Sequence, residues 1–206
     1  MSKGFLLVIS GPSGCGKGTL CKKILERNEK LIFSVSATTR MPRRGETNGI
    51  NYFFINKERF SNMIEEKEFL EYANVHGNLY GTPKQFVLEQ VEKGEIVILE
   101  IDVQGALQVK EAYPEAVFVF LLPPSMSELK NRIKKRGTES EKDIDIRLKN
   151  AFEELKFIDE YDYIVINDEL IEAVEKTEAI IIAEKLKVRR LKNILEKIID
   201  KEVYHV

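Results

Sequence analysis

An apolar run that breaks into a glycine-rich loop constrains this chain more than any other feature. Phe5-Leu-Leu-Val-Ile9 reads as a buried strand, and Gly11-Pro-Ser-Gly-Cys-Gly-Lys-Gly-Thr19 follows after a single residue. Gly11, Gly16 and Lys17 fit the spacing G-x-x-x-x-G-K of a phosphate-binding loop. Glycines there let backbone N–H groups turn inward as a nest for phosphate oxygens. A helix starting near Lys17 adds its positive end, and Lys17 itself offers a cation to the outer phosphates. Ser13, Gly14, Cys15, Gly18 and Thr19 complete the loop. The Cys15 thiol is read as open to solvent when the loop is empty, with Cys21 on the helix behind. Directly after the lysine, where such loops usually carry a magnesium-binding Ser or Thr, stands Gly18. Either Thr19 takes that role or the metal is held by water and phosphate, so no residue is assigned as a metal ligand.

Four further apolar segments read as strands: Leu31–Val35, Ile96–Leu99, Val117–Leu122 and Tyr163–Ile166. Helical patterns separate or follow them. One covers Thr19 to Glu26. Another covers Pro83 to Lys93, with Thr82 as its cap and Pro83 in its first turn. A third covers Ser125 to Lys135, with Ser125 and Glu128 at capping-box spacing. The next, Ser140 to Ile158, places Ile144, Leu148, Ala151, Phe152 and Leu155 on one face. Asp168 caps a last helix that runs to about Ile199. Strands alternating with helices predict a parallel sheet with helices on both faces. Residues 37–82, polar and aromatic with a short strand at Tyr52–Ile55, break the alternation, and so do the charged, helical residues 126–158. Both read as lobes that close over a ligand.

At 206 residues the chain is long enough for a real core, and 43% apolar with 32% charged residues suits a soluble globular protein. A net charge of −2 gives no global pull toward nucleic acid or a membrane surface. No apolar run approaches the roughly 20 residues of a membrane span, and no signal peptide is expected. The two cysteines form no metal motif and point to a reducing cytoplasm. The histidines, His76 and His205, show no ligand spacing. The basic stretch Lys185–Lys192 alternates with apolar residues at helical spacing and reads as a solvated helix face rather than an RNA-binding patch.

The segment Thr38-Thr-Arg-Met-Pro-Arg-Arg-Gly-Glu-Thr-Asn-Gly-Ile-Asn-Tyr-Phe-Phe-Ile55 resembles the signature of guanylate kinases, through Thr39, Arg40, Arg43, Glu46, Gly49, Tyr52 and Phe54. Phe69–Tyr72, Gly77–Thr82, Ile98–Gly105, Arg136–Glu139 and Ile166–Asp168 continue the resemblance to the final helix. It implies transfer of the γ-phosphate of ATP to GMP, giving ADP and GDP, in purine nucleotide metabolism, with Mg²⁺ carried in on ATP. The implied fold is a three-layer P-loop core with a parallel sheet (1–36, 83–125 and 159–206), a mixed α/β GMP-binding lobe (37–82) and a helical lid (126–158), all one domain. Partners are then ATP and GMP, with neither nucleic acid nor membrane. A homodimer is left open.

The resemblance also assigns roles. Arg40 and Arg43, three apart across a stiff Met41-Pro42 turn, grip the GMP phosphate, each by paired hydrogen bonds. Tyr52 and Tyr80 add hydroxyls. Without the signature, a solvated basic turn would explain the arginines equally well. Glu71, Ser36 and Thr82, beside Gly81, read the guanine edge: a carboxylate matches two base donors and hydroxyls match O6. Glu100 and Asp102 end an apolar strand, where phosphate-loop enzymes place acids near metal or substrate; both are assigned to GMP, and Asp102 is read as the better placed unless it merely caps a helix. Lys17, Arg43, Arg136 and Arg147 are the catalytic set, with Arg132, Asn167 and Asp168 on the ATP side. A non-catalytic binding module of the same fold would lack the loop lysine or the lid arginines, and all are present. A kinase for another nucleoside monophosphate is countered by Glu71 and the 38–55 signature.

Overall fold

Every residue of strand β1 (Phe5–Ser10) is buried, so both of its faces must be covered. The computed structural model describes residues 3–75, 77–135 and 141–191, and in it β1 is the middle strand of a five-stranded parallel sheet. Its neighbours are β7 (Ile96–Glu100) and β8 (Val117–Leu122), with β2 (Leu31–Phe33) and β9 (Tyr163–Ile166) at the edges, in the order β2-β7-β1-β8-β9. Side chains alternate across a strand. Phe5, Leu7 and Ile9 therefore join one core, with Leu20 and Ile24 of α1 (Lys17–Arg27) and Val174 and Ile181 of α7 (Leu170–Lys185). Leu6 and Val8 join the other, with Val87 and Val91 of α3 (Lys84–Glu92) and Ala106 and Val109 of α4 (Val103–Ala112). The three layers expected from the alternating pattern are present.

A second, mixed sheet interrupts the alternation. It orders β4 (Phe53–Phe54), β3 (Ala37–Thr38), β6 (Asn78–Pro83) and β5 (Phe69–Val75), with β3 and β4 parallel and the other pairs antiparallel. Helix α2 (Lys57–Glu65) packs Phe60 and Met63 against Ala37 and Phe69, and the Phe60 and Phe69 rings stack 4.5 Å apart. Helices α5 (Met126–Lys135) and α6 (Glu141–Leu155) pack Leu129 and Ile133 on Ile144 and Ala151.

Several local expectations change. Thr82 is no helix cap: it lies inside β6, and Pro83 takes the cap position of α3. Glu169, not Asp168, precedes α7, and no side chain caps that helix. Strand β2 stops at Phe33, short of Val35. Phe152 is 54% exposed, because the contact face of α6 is completed by α5 rather than by the sheet. Helix α7 ends at Lys185, the chain is helical again over 188–191, and the remainder of the expected final helix lies outside the described residues. Nor is Arg190 on a solvated face. It is 8% exposed, its guanidinium sits 4.3 Å from the Phe5 ring centre, and Nη2 bonds the buried Glu184 carboxylate at 3.2 Å. The Ser125 cap is as expected, with its hydroxyl accepting from the Glu128 N–H at 3.1 Å. No helix among the described residues is long and apolar enough to cross a membrane.

Candidate functional site

The loop between β1 and α1 is shaped by glycine where no other residue fits. Gly11 has φ +139°, and a Cβ there would stand 2.2 Å from the Leu121 carbonyl oxygen. Gly16 has φ +98°, and a Cβ there would stand 2.4 Å from the Asn167 amide nitrogen. Gly16 also precedes α1 without any side-chain cap, which leaves the first-turn N–H groups of the helix to an anion. Lys17 folds back over the loop, its Nζ donating to the carbonyls of Gly11 at 2.6 Å and Pro12 at 3.3 Å. Ser13, Gly18 and Thr19 are at the surface. The Cys15 thiol is not: its side chain is fully buried in the core beneath the loop, and burial pushes its pKa up. The turns at Gly14 and Gly16, both at positive φ, aim the intervening side chain inward. Cys15 therefore faces a ligand only through its backbone.

Two arginines reach the loop from the α5–α6 pair. Arg147 of α6 donates from Nη2 to the Ser13 hydroxyl at 2.6 Å. Arg132 of α5 donates to the Asn167 carbonyl at 2.9 Å and is held from behind by Glu128, one helical turn earlier, at 3.0 Å. Asn167 is 5% exposed and gives its amide to the Cys15 carbonyl at 2.8 Å. Its position is thus behind the loop as a prop, whereas Asp168 beside it is exposed. Arg136 lies outside the described residues, as do its Gly137–Glu139 neighbours, His76 and His205.

The acids at the end of β7 exchange the expected order. Asp102 caps α4, its Oδ1 accepting from the Gly105 N–H at 2.8 Å. Glu100, still on the strand, brings its carboxylate beside Gly18 of the loop, 3.4 Å from where a Cβ would stand. The chain turns into the helix immediately after Glu100, and that turn draws Asp102 to the helix end.

On the mixed sheet two further groupings form. Arg40 follows β3 and lies against the Tyr52 and Phe54 rings, 5.5 and 5.8 Å from their centres. Its Nε donates to the Tyr80 hydroxyl at 3.2 Å, and Tyr80 and Tyr52 meet edge-on at 5.8 Å. Glu46 faces Arg40 with both carboxylate oxygens, at 3.0 and 2.8 Å. Arg40 therefore offers a ligand no free pair of donors, contrary to the paired grip expected of it, whereas Arg43 is exposed. The second grouping is Glu71 and Thr82, brought together by the β5–β6 pairing. The Thr82 hydroxyl donates to Glu71 Oε1 at 2.5 Å. Burial raises the Glu71 pKa from 4.5 to about 7; the Thr82 hydrogen bond opposes the shift and the Asp102 charge adds to it. Gly81, buried between them in sequence, leaves no room for a Cβ against the Phe69 ring, 2.9 Å away. Ser36 is half-buried just before β3.

Sequence reasoning placed Glu46 in the signature and Glu128 in a capping box, but gave neither a hold on an arginine. Glu128 stands four residues from Arg132, a readable helical spacing, whereas Glu46 stands six from Arg40 and gave no such signal. Chemically, the arrangement supplies one cradle for a polyphosphate, a second cluster for a smaller anion, and a buried carboxylate–hydroxyl pair suited to a base edge.

Comparison with known proteins gives the family. The guanylate kinase family model matches residues 3–184. The chain is 59% identical over 201 residues to the guanylate kinase of Caldanaerobacter subterraneus, covering 98% of each sequence. It is 56% identical over 208 residues to that of Clostridium tetani, covering 99% of this chain and all of the relative. Its structure resembles the crystal structure of guanylate kinase from Anaplasma phagocytophilum, with a TM-score of 0.73, 36% identity and 95% of each chain covered.

Proposed function

The chain belongs to the guanylate kinase family and transfers the γ-phosphate of ATP to GMP, and from that premise we propose how its residues divide the work. The loop 11–19 holds the ATP phosphates on its backbone N–H groups. Lys17 leaves the Gly11 and Pro12 carbonyls for the β- and γ-phosphate oxygens, a short reach because it already lies across the loop. Arg132, prepositioned by Glu128, and Arg147 bring positive charge to the transferring group from the lid, residues 126–158. Loose, anionic transition states of this kind are stabilised chiefly by such placed charge. When bound with ATP, Mg²⁺ would supply charge neutralisation at the phosphates. Glu100 and the Thr19 hydroxyl flank Gly18 and suit its preference for oxygen donors, directly or through water.

GMP lies across the lobe 37–82. Arg43, Arg40, Tyr52 and Tyr80 face its phosphate, which is the nucleophile. Glu71 accepts from the guanine N1–H and exocyclic amine, and Ser36 faces O6, joined by Thr82 when its hydroxyl proton turns from Glu71 to the base. Adenine reverses that edge and would leave the buried Glu71 without donors. Closure of the lid and lobe excludes water, which directs the phosphoryl group to GMP rather than to hydrolysis. We place the reaction in the cytoplasm, where both nucleotides are available and the two free cysteines stay reduced.

The observation that carries this reading is the 2.6 Å bond from Arg147 to Ser13, which brings the lid helix onto the phosphate loop. Single-turnover kinetics of Arg147→Ala and Lys17→Ala test it. Each should slow transfer by about three powers of ten or more, with GMP affinity within about twofold of the parent. Near-normal turnover in either variant would overturn the assignment.

A further inference from the structure

Four of the five N–H groups of Arg40 are already bonded. Nε donates to the Tyr80 hydroxyl, Nη1 to the Met41 carbonyl and to Glu46 Oε2, and Nη2 to Glu46 Oε1. The same Glu46 carboxylate accepts from the Arg43 N–H at 2.7 Å, while the Glu46 N–H donates to the Arg43 carbonyl at 3.0 Å. One acid thus fixes both arginines, Arg40 through its side chain and Arg43 through its backbone. The arginine side chain is 14% exposed and the acid 19%, so the pair is held within the lobe rather than left at its rim.

We propose that Glu46 is the positioning residue of the acceptor-phosphate site: its carboxylate locks Arg40 so that one remaining Nη2 proton, the Tyr80 hydroxyl proton and the Arg43 side chain present a preformed three-sided site for the GMP phosphate. The proposal rests on the reading of Arg40 and Arg43 as the GMP phosphate site. Its logic is a trade between charge and order. A carboxylate beside a phosphate site repels the ligand, so it weakens binding unless it organises the donors. Here the organisation is extensive. Tyr80 accepts from Arg40, which leaves its own proton to donate outward. Arg40 lies against two aromatic rings, so its plane is set on that side as well. Without the acid, three N–H groups on two arginines lose their partner and the 43–46 turn loses its tie. The bonds to Arg40 and to the Arg43 N–H also hold the Glu46 carboxyl below its ordinary pKa, so it remains charged throughout the neutral range.

The test is calorimetric binding of GMP and of guanosine, which lacks the phosphate, to the parent protein and to Glu46→Gln, Arg40→Ala and the double variant. Glu46→Gln keeps the shape and one acceptor but lacks the charge. Its GMP affinity should fall about tenfold, with guanosine affinity unchanged and kcat at saturating GMP within about threefold of the parent. In the Arg40→Ala background Glu46→Gln should have less than about a threefold further effect, because the two act as a unit. GMP affinity equal to or higher than the parent's would overturn the proposal, showing that the acid merely competes with phosphate. Equal loss for GMP and guanosine would overturn it in favour of a role in folding the lobe. If the parent itself binds guanosine as tightly as GMP, the phosphate-site reading of Arg40 and Arg43 is what fails.

Discussion

Acidification should loosen the hold on the guanine base through one group, Glu71. Its carboxyl is 7% exposed, and burial raises its pKa to about 7 against the opposing Thr82 hydrogen bond. Guanine presents two donors, so only the ionised carboxylate can receive both. Near pH 8 the carboxyl is about nine-tenths ionised, and near pH 6 about one-tenth. Base affinity should therefore fall about tenfold across that interval. The GMP phosphate titrates nearby, with a second pKa of about 6, so guanosine is the cleaner ligand. Glu71→Gln should abolish the pH dependence and weaken guanosine at pH 8 by about one to two powers of ten, leaving ATP binding intact. Stability runs the other way. A carboxyl whose pKa is raised on folding holds its proton in the folded protein between about 4.5 and 7, so the folded state loses stability as pH rises through that window. At pH 8 the buried charge costs up to about 3 kcal/mol. Part of this is recovered in Glu71→Gln, so the variant should melt at or above the parent's temperature while failing to hold the base. Guanosine affinity that stays flat from pH 8 to 6, or a slope that persists in Glu71→Gln, would refute the reasoning.

The end of α7 carries a prediction about stability rather than catalysis. Glu184 is fully buried and accepts from Tyr163 at 2.7 Å and from Arg190 at 3.2 Å, with Lys187 2.6 Å away. Glu184→Ala should cost about 3 kcal/mol in denaturant unfolding, because it leaves Arg190 buried against Phe5 without its counter-charge. Burial works to raise the Glu184 pKa, but the hydrogen bonds from Lys187, Tyr163 and Arg190 outweigh it, and the net shift is downward. Its stabilisation is therefore present above about pH 4.5 and lost as pH falls below that. The variant's acid limb should be correspondingly flatter, and unfolding curves superimposable on the parent's would sink the claim.

The loop and the parallel core were legible because each announces itself locally. The glycine–lysine spacing has one physical use, and the strands β1, β7 and β8 are unbroken apolar runs. Of the mixed sheet, the short strand within 52–55 was legible and the rest was not. Residues 37–83 have no clean period, since β3 and β4 are two residues each and β5 shifts register between Phe69 and Tyr72. Thr82-Pro83 has the composition of a helix start, and only the pairing of β6 with β3 and β5 draws Thr82 into a strand, where its hydroxyl meets Glu71. Cys15 misled for a related reason. Its position in the loop is readable, but its inward direction depends on the backbone of the glycines on either side. Arg190 sits in a basic run that looks solvated, and its partner Glu184 is six residues away, off any helical repeat. At the site, residue types were readable and commitments were not. Nothing in the spacing of Arg40 says that most of its donors belong to Glu46 and Tyr80.

The central proposal is that the loop 11–19 and the Arg40–Arg43 cluster are the two anion sites of one cleft and come together when both nucleotides bind. The most direct test is calorimetric binding of a bisubstrate analogue, adenosine and guanosine joined 5′ to 5′ through a phosphate chain, against ATP and GMP alone. If the sites share the cleft, joining the halves makes the second contact intramolecular, and the analogue should bind about a hundredfold or more tighter than either nucleotide. An analogue that binds no tighter than the better of its two halves would contradict the account.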